Sequence, residues 1–519
     1  MTKKIDIKKI IFSILALTIL IVFSKMMLRG SGISHPSVRD ITLVCLFFII
    51  LSSSQKAYWV IGSIIVAIYA LYTPIGLTFG TPTYQYLASL IATDTLETAE
   101  FFTQIPLKNY LSILVIIGGF ILFKKITNSK KIQFYKNKSL IICLIIIALI
   151  DQVPFRIFNE GYQSINSLQK ELETLSPYTQ KSNWGVSTLK NDEKLYDDYI
   201  LIVGESVRRD YMGIYGYPIN NTPFLSHTNG TIVDGLTAPG TNTISSLRLM
   251  LTLPNIAEWT PNYGLNFIDL AESAGFKTYW LSNQGFIGEY DTPVSFIAAR
   301  SSLKRFMKIG AYNSSNSSDS SDFELLDIFK KELNTTVSKN QKRLFVIHLY
   351  GSHPDTCARI EDFENKYLTK DDKYTNISCY VASIEKTDQL ISKIYDTLKN
   401  QENKNNRTFS ILYFADHGLS HNLVDNKLKM SLSKSSTKIL NIPLIKISSD
   451  DKDRNYIKSK KSGLFFTEGL ANWLGINNAK LKENYSLFSS LKDDEKYDPI
   501  EQYKGLRQDN DDAIDIRGK

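Results

Sequence analysis

Cysteine and histidine are scarce in this chain: 519 residues hold four of the first and six of the second. Cys45 and Cys143 fall inside apolar runs, which leaves Cys357 and Cys379 as the only thiol pair elsewhere. Two sulfurs argue against a thiolate zinc site, the rival reading, and make a Cys357–Cys379 disulfide the expectation. Acidic side chains are nearly missing from the first 150 positions, where 5 face 15 Lys and Arg. The chain's overall +8 less this local +10 leaves −2 on the other 369 residues. The basic excess thus lies among apolar runs, where Lys and Arg set membrane orientation, so a nucleic-acid partner is excluded. Also missing is a small-residue cleavage site after the first apolar run, so Lys3, Lys4, Lys8 and Lys9 flank an anchor rather than a removed signal peptide. With 43% apolar and 22% charged residues the chain is no disordered tail protein, and its length asks for two or more structural units. A soluble cytosolic enzyme is excluded as well.

Five apolar stretches, 10–27, 41–53, 58–72, 110–123 and 140–150, extend through uncharged flanks to about 20 residues each, the length a bilayer core requires. They predict a five-helix transmembrane domain over residues 1–155. Lys124, Lys125, Lys130, Lys131, Lys136 and Lys138 keep the loop between the fourth and fifth runs cytoplasmic. The loop 73–109 carries only Lys108 against Asp94, Glu97 and Glu100, as an outward loop should. An odd number of spans that starts inside ends outside. Everything after Asp151 is therefore expected beyond a bacterial inner membrane, in the periplasm of a Gram-negative cell, where oxidising conditions permit the disulfide. Within 82–102, the spacing of Tyr86, Leu87, Leu90, Ile91, Leu96 and Phe101 suits a helix lying on the bilayer surface or one packed under the outer domain.

Residues 156–194 show no strand signal and read as a connector, and 195–492 as the catalytic domain. Strands predicted at 199–203, 276–281, 344–349, 409–414 and 442–447 alternate with helices at 268–273, 325–333 and 382–398. That alternation predicts an α/β fold with a mostly parallel central sheet, in which ligands bind at the carboxyl ends of strands. The Ser- and Asn-rich run 313–321 reads as an exposed loop. The tail 493–519, rich in charge and poor in apolar anchors, is expected to wrap the surface or fray.

Three of the predicted strands lead into metal-binding side chains. The first delivers Glu205 just past Gly204, the third delivers His348 and then His353, and the fourth delivers Asp416 and His417. Four of the six histidines, His348, His353, His417 and His421, lie in the last two of these segments, a sorting that scattered surface histidines rarely show. Strand ends at one sheet edge converge, so Glu205, Asp416 and His417 are expected to share one divalent ion. Mixed oxygen and nitrogen donors with an open position suit catalytic Zn²⁺.

The stretch 203–218 (VGESVRRDYMGIYGYP) with Thr222 and Pro223, the segment 348–353 (HLYGSH) and the segment 415–418 (ADHG) together resemble the membrane-anchored phosphoethanolamine transferases of the alkaline phosphatase and sulfatase superfamily. The resemblance runs over nearly the whole chain. It implies an alkaline-phosphatase-like sandwich and a metal-bound Thr nucleophile at the start of a helix downstream of the Glu ligand. The matching segment is 239–247 (PGTNTISSL), with Thr243 as the nucleophile, Thr241, Ser245 and Ser206 as competitors, and an ordinary Thr N-cap as the bland alternative. It further implies Asn283 as a donor to the phosphate, although a turn after a strand explains Asn283 almost as well. His348 and His353 become substrate contacts or proton shuttles, with core packing as the alternative for His348. One tightly bound Zn²⁺ is implied, and a second ion during turnover is left open. Three departures stand out: no cysteines bracket the nucleophile loop, no Lys follows soon after Asn283, and no further His is placed beyond the Asp-His pair, where His421 is merely near.

The implied activity moves phosphoethanolamine from phosphatidylethanolamine to lipopolysaccharide, at lipid A or a core sugar, or to another outer-leaflet glycolipid, by double displacement through Thr243. Alternatives are a glycerol-phosphate transferase of the same layout and an inactive membrane-tethered glycan-binding protein. A sulfatase is disfavoured, because no Cys occupies the nucleophile loop to become formylglycine.

Overall fold

The computed structural model describes residues 7–33, 35–82, 100–136, 162–163, 166, 170–171, 175, 181–190, 195–286, 292–309, 320–432, 436–482, 484–503 and 511–519. The chain divides into two units, 1–87 with 103–168, and 88–102 with 169–519.

In the first unit, three helices among the described residues are long and apolar enough to cross a membrane: Ile7–Gly30, Gln55–Phe79 and Leu107–Ser129. The second expected span is a shorter helix, Val38–Leu51, whose 14 residues reach about 21 Å. A Ser37–Asp40 capping box fixes its start and Ser52 closes its end. The fifth run, 140–150, and most of the amphipathic stretch 82–102 lie outside the described residues. Of the five expected spans, three are helices of spanning length among the described residues. They approach closely at glycines, since a Cβ on Gly76 would fall 2.0 Å from the Gly30 carbonyl oxygen. Their core is aromatic: the Tyr58 ring stacks on Phe120 at 4.5 Å, and its hydroxyl donates to the Phe120 carbonyl at 2.8 Å.

The second unit is built on an eight-stranded sheet. In chain order its strands are β1 (Asp198–Gly204), β2 (Gly230–Thr237), β3 (Lys277–Phe286), β4 (Leu303–Ile309), β5 (Arg343–His348), β6 (Phe409–Ala415), β7 (Leu444–Ser448) and β8 (Arg454–Ser462). They lie side by side as β8-β2-β7-β6-β1-β5-β3-β4, and only β7 runs against its neighbours. The sheet is mostly parallel, as expected. Strands β1, β5 and β6 are buried at every position. A strand buried on both faces reads as an unbroken apolar run, which is how Ile200, Leu201, Ile202 and Val203 betray β1.

All five predicted strands are present, and the three predicted helices appear as Phe267–Ser273, Glu324–Leu333 and the longer Thr375–Asn405. Strands β2, β4 and β8 were not expected. Both sheet edges are among them, and β4 (LKRFMKI) and β8 (RNYIKSKKS) carry the Lys and Arg that keep an edge from pairing with another chain. The supposedly strandless connector also needs correction. Thr188–Leu189 pairs antiparallel with Ile476–Asn477, and the buried Trp184 indole donates to the Asn266 carbonyl at 2.7 Å. The last part of that stretch is thus integral to the domain. Cys357 and Cys379 form the expected disulfide, with Cα atoms 4.9 Å apart. Closing a loop of this size contributes about 3 kcal/mol in the chain-entropy account.

Candidate active site at the carboxyl ends of the strands

Strands β1 and β6 are parallel neighbours in register, Gly204 opposite Ala415, so the residues that follow each emerge side by side. Glu205 and Asp416 come next, and the Asp416 amide donates to the Gly204 carbonyl at 3.1 Å. The turn after β1 is tight: Ser206 has a left-handed φ of 62°. Tyr380 pins it, its hydroxyl donating to the Ser206 carbonyl at 2.8 Å and accepting from the Arg208 amide at 2.8 Å. The turn after β5 packs against Glu205 through the Ser352 amide, which donates to the Glu205 carbonyl at 3.0 Å. Gly351 makes this approach feasible, because a Cβ there would sit 3.0 Å from the Glu205 amide nitrogen.

Glu205, Asp416 and His417 offer one ligand atom each, all within 4.8 Å of one another and all buried. His417 Nε2 lies 3.4 Å from Glu205 Oε1 and 3.3 Å from Asp416 Oδ2. His417 Nδ1 faces the Gly418 carbonyl at 2.9 Å, so it donates there and leaves Nε2 as the coordinating nitrogen. Asp416 Oδ1 accepts from the amides of Ser206 and His417 at 3.1 and 2.8 Å. Its other oxygen, Oδ2, is buried with no hydrogen-bond partner, the mark of a group awaiting a cation. The donor set fits a borderline divalent ion.

The electrostatics agree. Burial raises the Asp416 carboxyl, and Glu205 raises it further, to about 7. Burial also pushes Glu205 up, but His417 reverses this and holds it well below the usual carboxylate range. Burial alone would depress His417; Asp416 and then Glu205 outweigh it, taking the imidazole up to about 9. Without a metal, the His417 proton is the positive charge that two buried carboxylates demand.

Thr243 opens the helix Thr243–Met250, capped by Asn242 in a reciprocal box with Ser245. Its hydroxyl donates to Glu205 Oε2 at 2.9 Å and stands 3.5 Å from His417 Nε2. Two of the competing hydroxyls lie close by. Ser245 Oγ caps the helix, donating to the Asn242 carbonyl at 3.0 Å, and Ser206 is fully buried with its Oγ donating to Glu205 Oε1 at 2.6 Å.

The histidines after β5 are placed differently from each other. His348 is buried edge-on to Trp280 with ring centroids 5.9 Å apart, and burial drives its pKa down to about 4. His353 is partly exposed, stacks on Tyr350 at 4.9 Å, and directs Nδ1 at the Pro354 carbonyl 2.7 Å away. Asn283 is not directed at the cluster. Its Nδ2 donates to the Ser320 carbonyl and to Asp322 Oδ1, both at 2.8 Å, and it lines a cavity of about 340 Å³ with Asp322, Tyr350 and Arg359. The next residue, Gln284, is the one that reaches Glu205, donating to Oε2 at 3.3 Å and to the Leu349 carbonyl at 2.7 Å. The register of β3 against β4 shifts between Ser282 and Gly285, so a bulge aims these two side chains.

The sulfatase family model matches residues 197–476, more than half of the chain. Over 499 residues the chain is 30% identical to phosphoethanolamine transferase OpgE of Escherichia coli, covering 91% of this chain and 90% of OpgE. The chain belongs to the phosphoethanolamine transferases of the sulfatase family. A Haemophilus influenzae protein provisionally named a phosphoethanolamine transferase is 44% identical over 399 residues, which span 76% of this chain and 81% of that protein. The solved periplasmic domain of Escherichia coli EptC in complex with Zn has the same fold, at a TM-score of 0.52 and 18% identity, over 64% of this chain and 100% of EptC's domain. Gln284 carried no signal in the sequence beyond its place beside Asn283.

Proposed function

We propose that the chain transfers phosphoethanolamine from phosphatidylethanolamine to a lipopolysaccharide acceptor, lipid A or a core sugar, with Thr243 as the nucleophile. The single observation that carries this reading is the Thr243 hydroxyl, set at a helix N-terminus 2.9 Å from Glu205 and 3.5 Å from His417. Glu205, Asp416 and His417 would hold Zn²⁺, which supplies Lewis acidity that lowers the hydroxyl pKa and offsets charge on the transferring group. The zinc assignment draws on the donor set and on the EptC complex.

In the first displacement, Thr243 Oγ1 bonds to phosphorus as the bond from phosphorus to the glycerol oxygen breaks. Phosphoethanolamine is then held as a threonine phosphodiester, and diacylglycerol departs. The amides of Thr243 and Ile244, which precede the capped Ser245 amide, donate to phosphoryl oxygens. His353 takes the proton lost by Thr243 and returns it to the glycerol oxygen. Its Nδ1 donates to Pro354, which leaves Nε2 as the basic nitrogen. His348, kept neutral by burial, contacts the substrate without adding charge. In the second displacement an acceptor hydroxyl attacks phosphorus, His353 takes its proton, and the Thr243 oxygen recovers one.

Both substrates have lipid tails, so an anchor that includes helices of spanning length confines enzyme and substrates to one surface. The catalytic unit is assigned to the periplasm, in line with its disulfide and with the periplasmic EptC domain. Membranes incubated with head-group-labelled phosphatidylethanolamine test this reading. The expected result is label on a glycolipid and phosphoethanolamine on the tryptic peptide that contains Thr243. An unmodified peptide in an active preparation moves the nucleophile elsewhere, phosphoglycerol on it changes the donor, and label on no glycolipid overturns the transfer.

A further inference from the structure

The segment 511–516, expected to wrap the surface or fray, is docked. Ile516 is buried, the Ile514 amide donates to the Tyr211 hydroxyl at 3.0 Å, and the Tyr217 hydroxyl donates to the Ile514 carbonyl at 2.8 Å. Asp511 is its centre. Its Oδ2 accepts from the Arg208 guanidinium at 3.0 Å, and its Oδ1 faces the His421 amide at 3.2 Å and the His421 ring Nδ1 at 2.5 Å. The other ring nitrogen of His421 meets the Tyr211 hydroxyl at 2.5 Å.

These contacts bridge the two segments that deliver the metal-binding side chains. Arg208 stands three residues past Glu205, fully buried, and also donates to the carbonyl of Leu419, two residues past His417, at 3.3 Å. Asp210 grips the same guanidinium through both carboxylate oxygens, at 2.9 and 2.6 Å. Gly418 allows the crossing, because a Cβ there would lie 2.4 Å from Arg208 Cγ. A buried guanidinium that lost one of its two carboxylates would be left partly uncompensated and free to move the turn it belongs to.

We propose that Asp511 is a positioning residue for the metal centre: by holding both Arg208 and His421, it clamps the turn after β1 to the turn after β6. The spacing between Glu205 and the Asp416–His417 pair is thereby held ready for the ion. The inference rests on the reading of that trio as a metal site. Outer contacts that orient ligands are worth about ten- to a hundredfold in metal affinity, and Asp511, acting through intermediaries, belongs at the low end.

The test uses full-length protein in detergent, titrated with Co²⁺ while its visible absorption is followed, and with Zn²⁺ against a competing chelator. Asp511→Asn is expected to raise both dissociation constants about tenfold and to shift the Co²⁺ bands, with Asp511→Glu restoring part of each. Asp515→Asn, whose carboxylate pairs with Arg517 at the surface, is expected to bind both ions as the wild type does. Should Asp511→Asn not fold, His421→Asn keeps the Arg208 pair, breaks the ring contact, and is expected to weaken binding in the same direction. Wild-type affinity and spectrum in a folded Asp511 or His421 variant, even with a lower melting temperature, would overturn the clamp and leave the segment a structural prop. A wild-type chain that binds neither ion overturns the metal reading itself, and the clamp with it.

Discussion

The two ends of the central sheet both bury charge, and they settle it in opposite ways. At the amino ends, Asp198 accepts from Arg343 Nε and Nη2 at 2.6 and 2.9 Å and from Arg407 Nη2 at 2.9 Å. Burial pushes Asp198 up, but Arg343 and Arg407 reverse this and hold it below its ordinary value. At the carboxyl ends, Glu205 and Asp416 face His417 Nε2 at 3.4 and 3.3 Å, and Asp416 Oδ2 has no hydrogen-bond partner. One end is neutralised by the chain itself and serves stability. At the other, the carboxylates face a histidine instead of a guanidinium, and this is the end proposed for the chemistry. The lesson is that a buried charge left underpaired by its own chain marks a candidate site.

Substitutions at either end can break this contrast. Thr243→Ala should cut transfer at least about a thousandfold in the labelled head-group assay, the loss expected on removing the proposed nucleophile. Asp198→Asn should lower unfolding free energy by about 3–5 kcal/mol in denaturant melts, since Arg343 and Arg407 then lose their shared counter-charge. Transfer by the molecules that remain folded should be unchanged.

The acid limb of stability adds a second probe. His348 titrates at about 4 when folded, below its ordinary 6.5, so the unfolded chain takes up a proton that the folded chain refuses. Its contribution is present above about pH 6.5 and lost as pH falls toward 4, on the order of 3 kcal/mol in all. His348→Gln should flatten the melting curve of the metal-free protein across that window, and an unchanged slope would count against a neutral His348. The smallest effect expected is a gain. Asp416→Asn should stabilise the metal-free protein by about 1–2 kcal/mol by removing a like charge beside Glu205, while Zn²⁺ binding is lost.

Legibility followed burial and spacing. The strands read from the sequence are all interior ones, and three of them, β1, β5 and β6, are buried at every position, which keeps their runs largely apolar. The edges β4 and β8 hide behind Lys and Arg, and β2 is broken up by Gly235 and Asp234. Glu205, Asp416 and His417 were legible because each directly follows a readable strand, and the structure brings them together with Thr243. Gln284 and Asp511 were not. Which of Asn283 and Gln284 faces Glu205 depends on a bulge, and Asp511 meets Arg208 across 303 residues of sequence. The shortness of Val38–Leu51 was likewise hidden, since its cap lies in polar flanks that the apolar count absorbed.

Proton release on metal binding tests the central claim most directly. At pH 7.5 the metal-free His417, held up to about 9 by the two carboxylates, carries a proton that a coordinating Nε2 must give up. Titrating Zn²⁺ by calorimetry in buffers of different ionisation enthalpy should show about one proton released per ion bound, and no saturable binding in Asp416→Asn. Binding with no proton released, or binding that survives Asp416→Asn intact, would contradict the account.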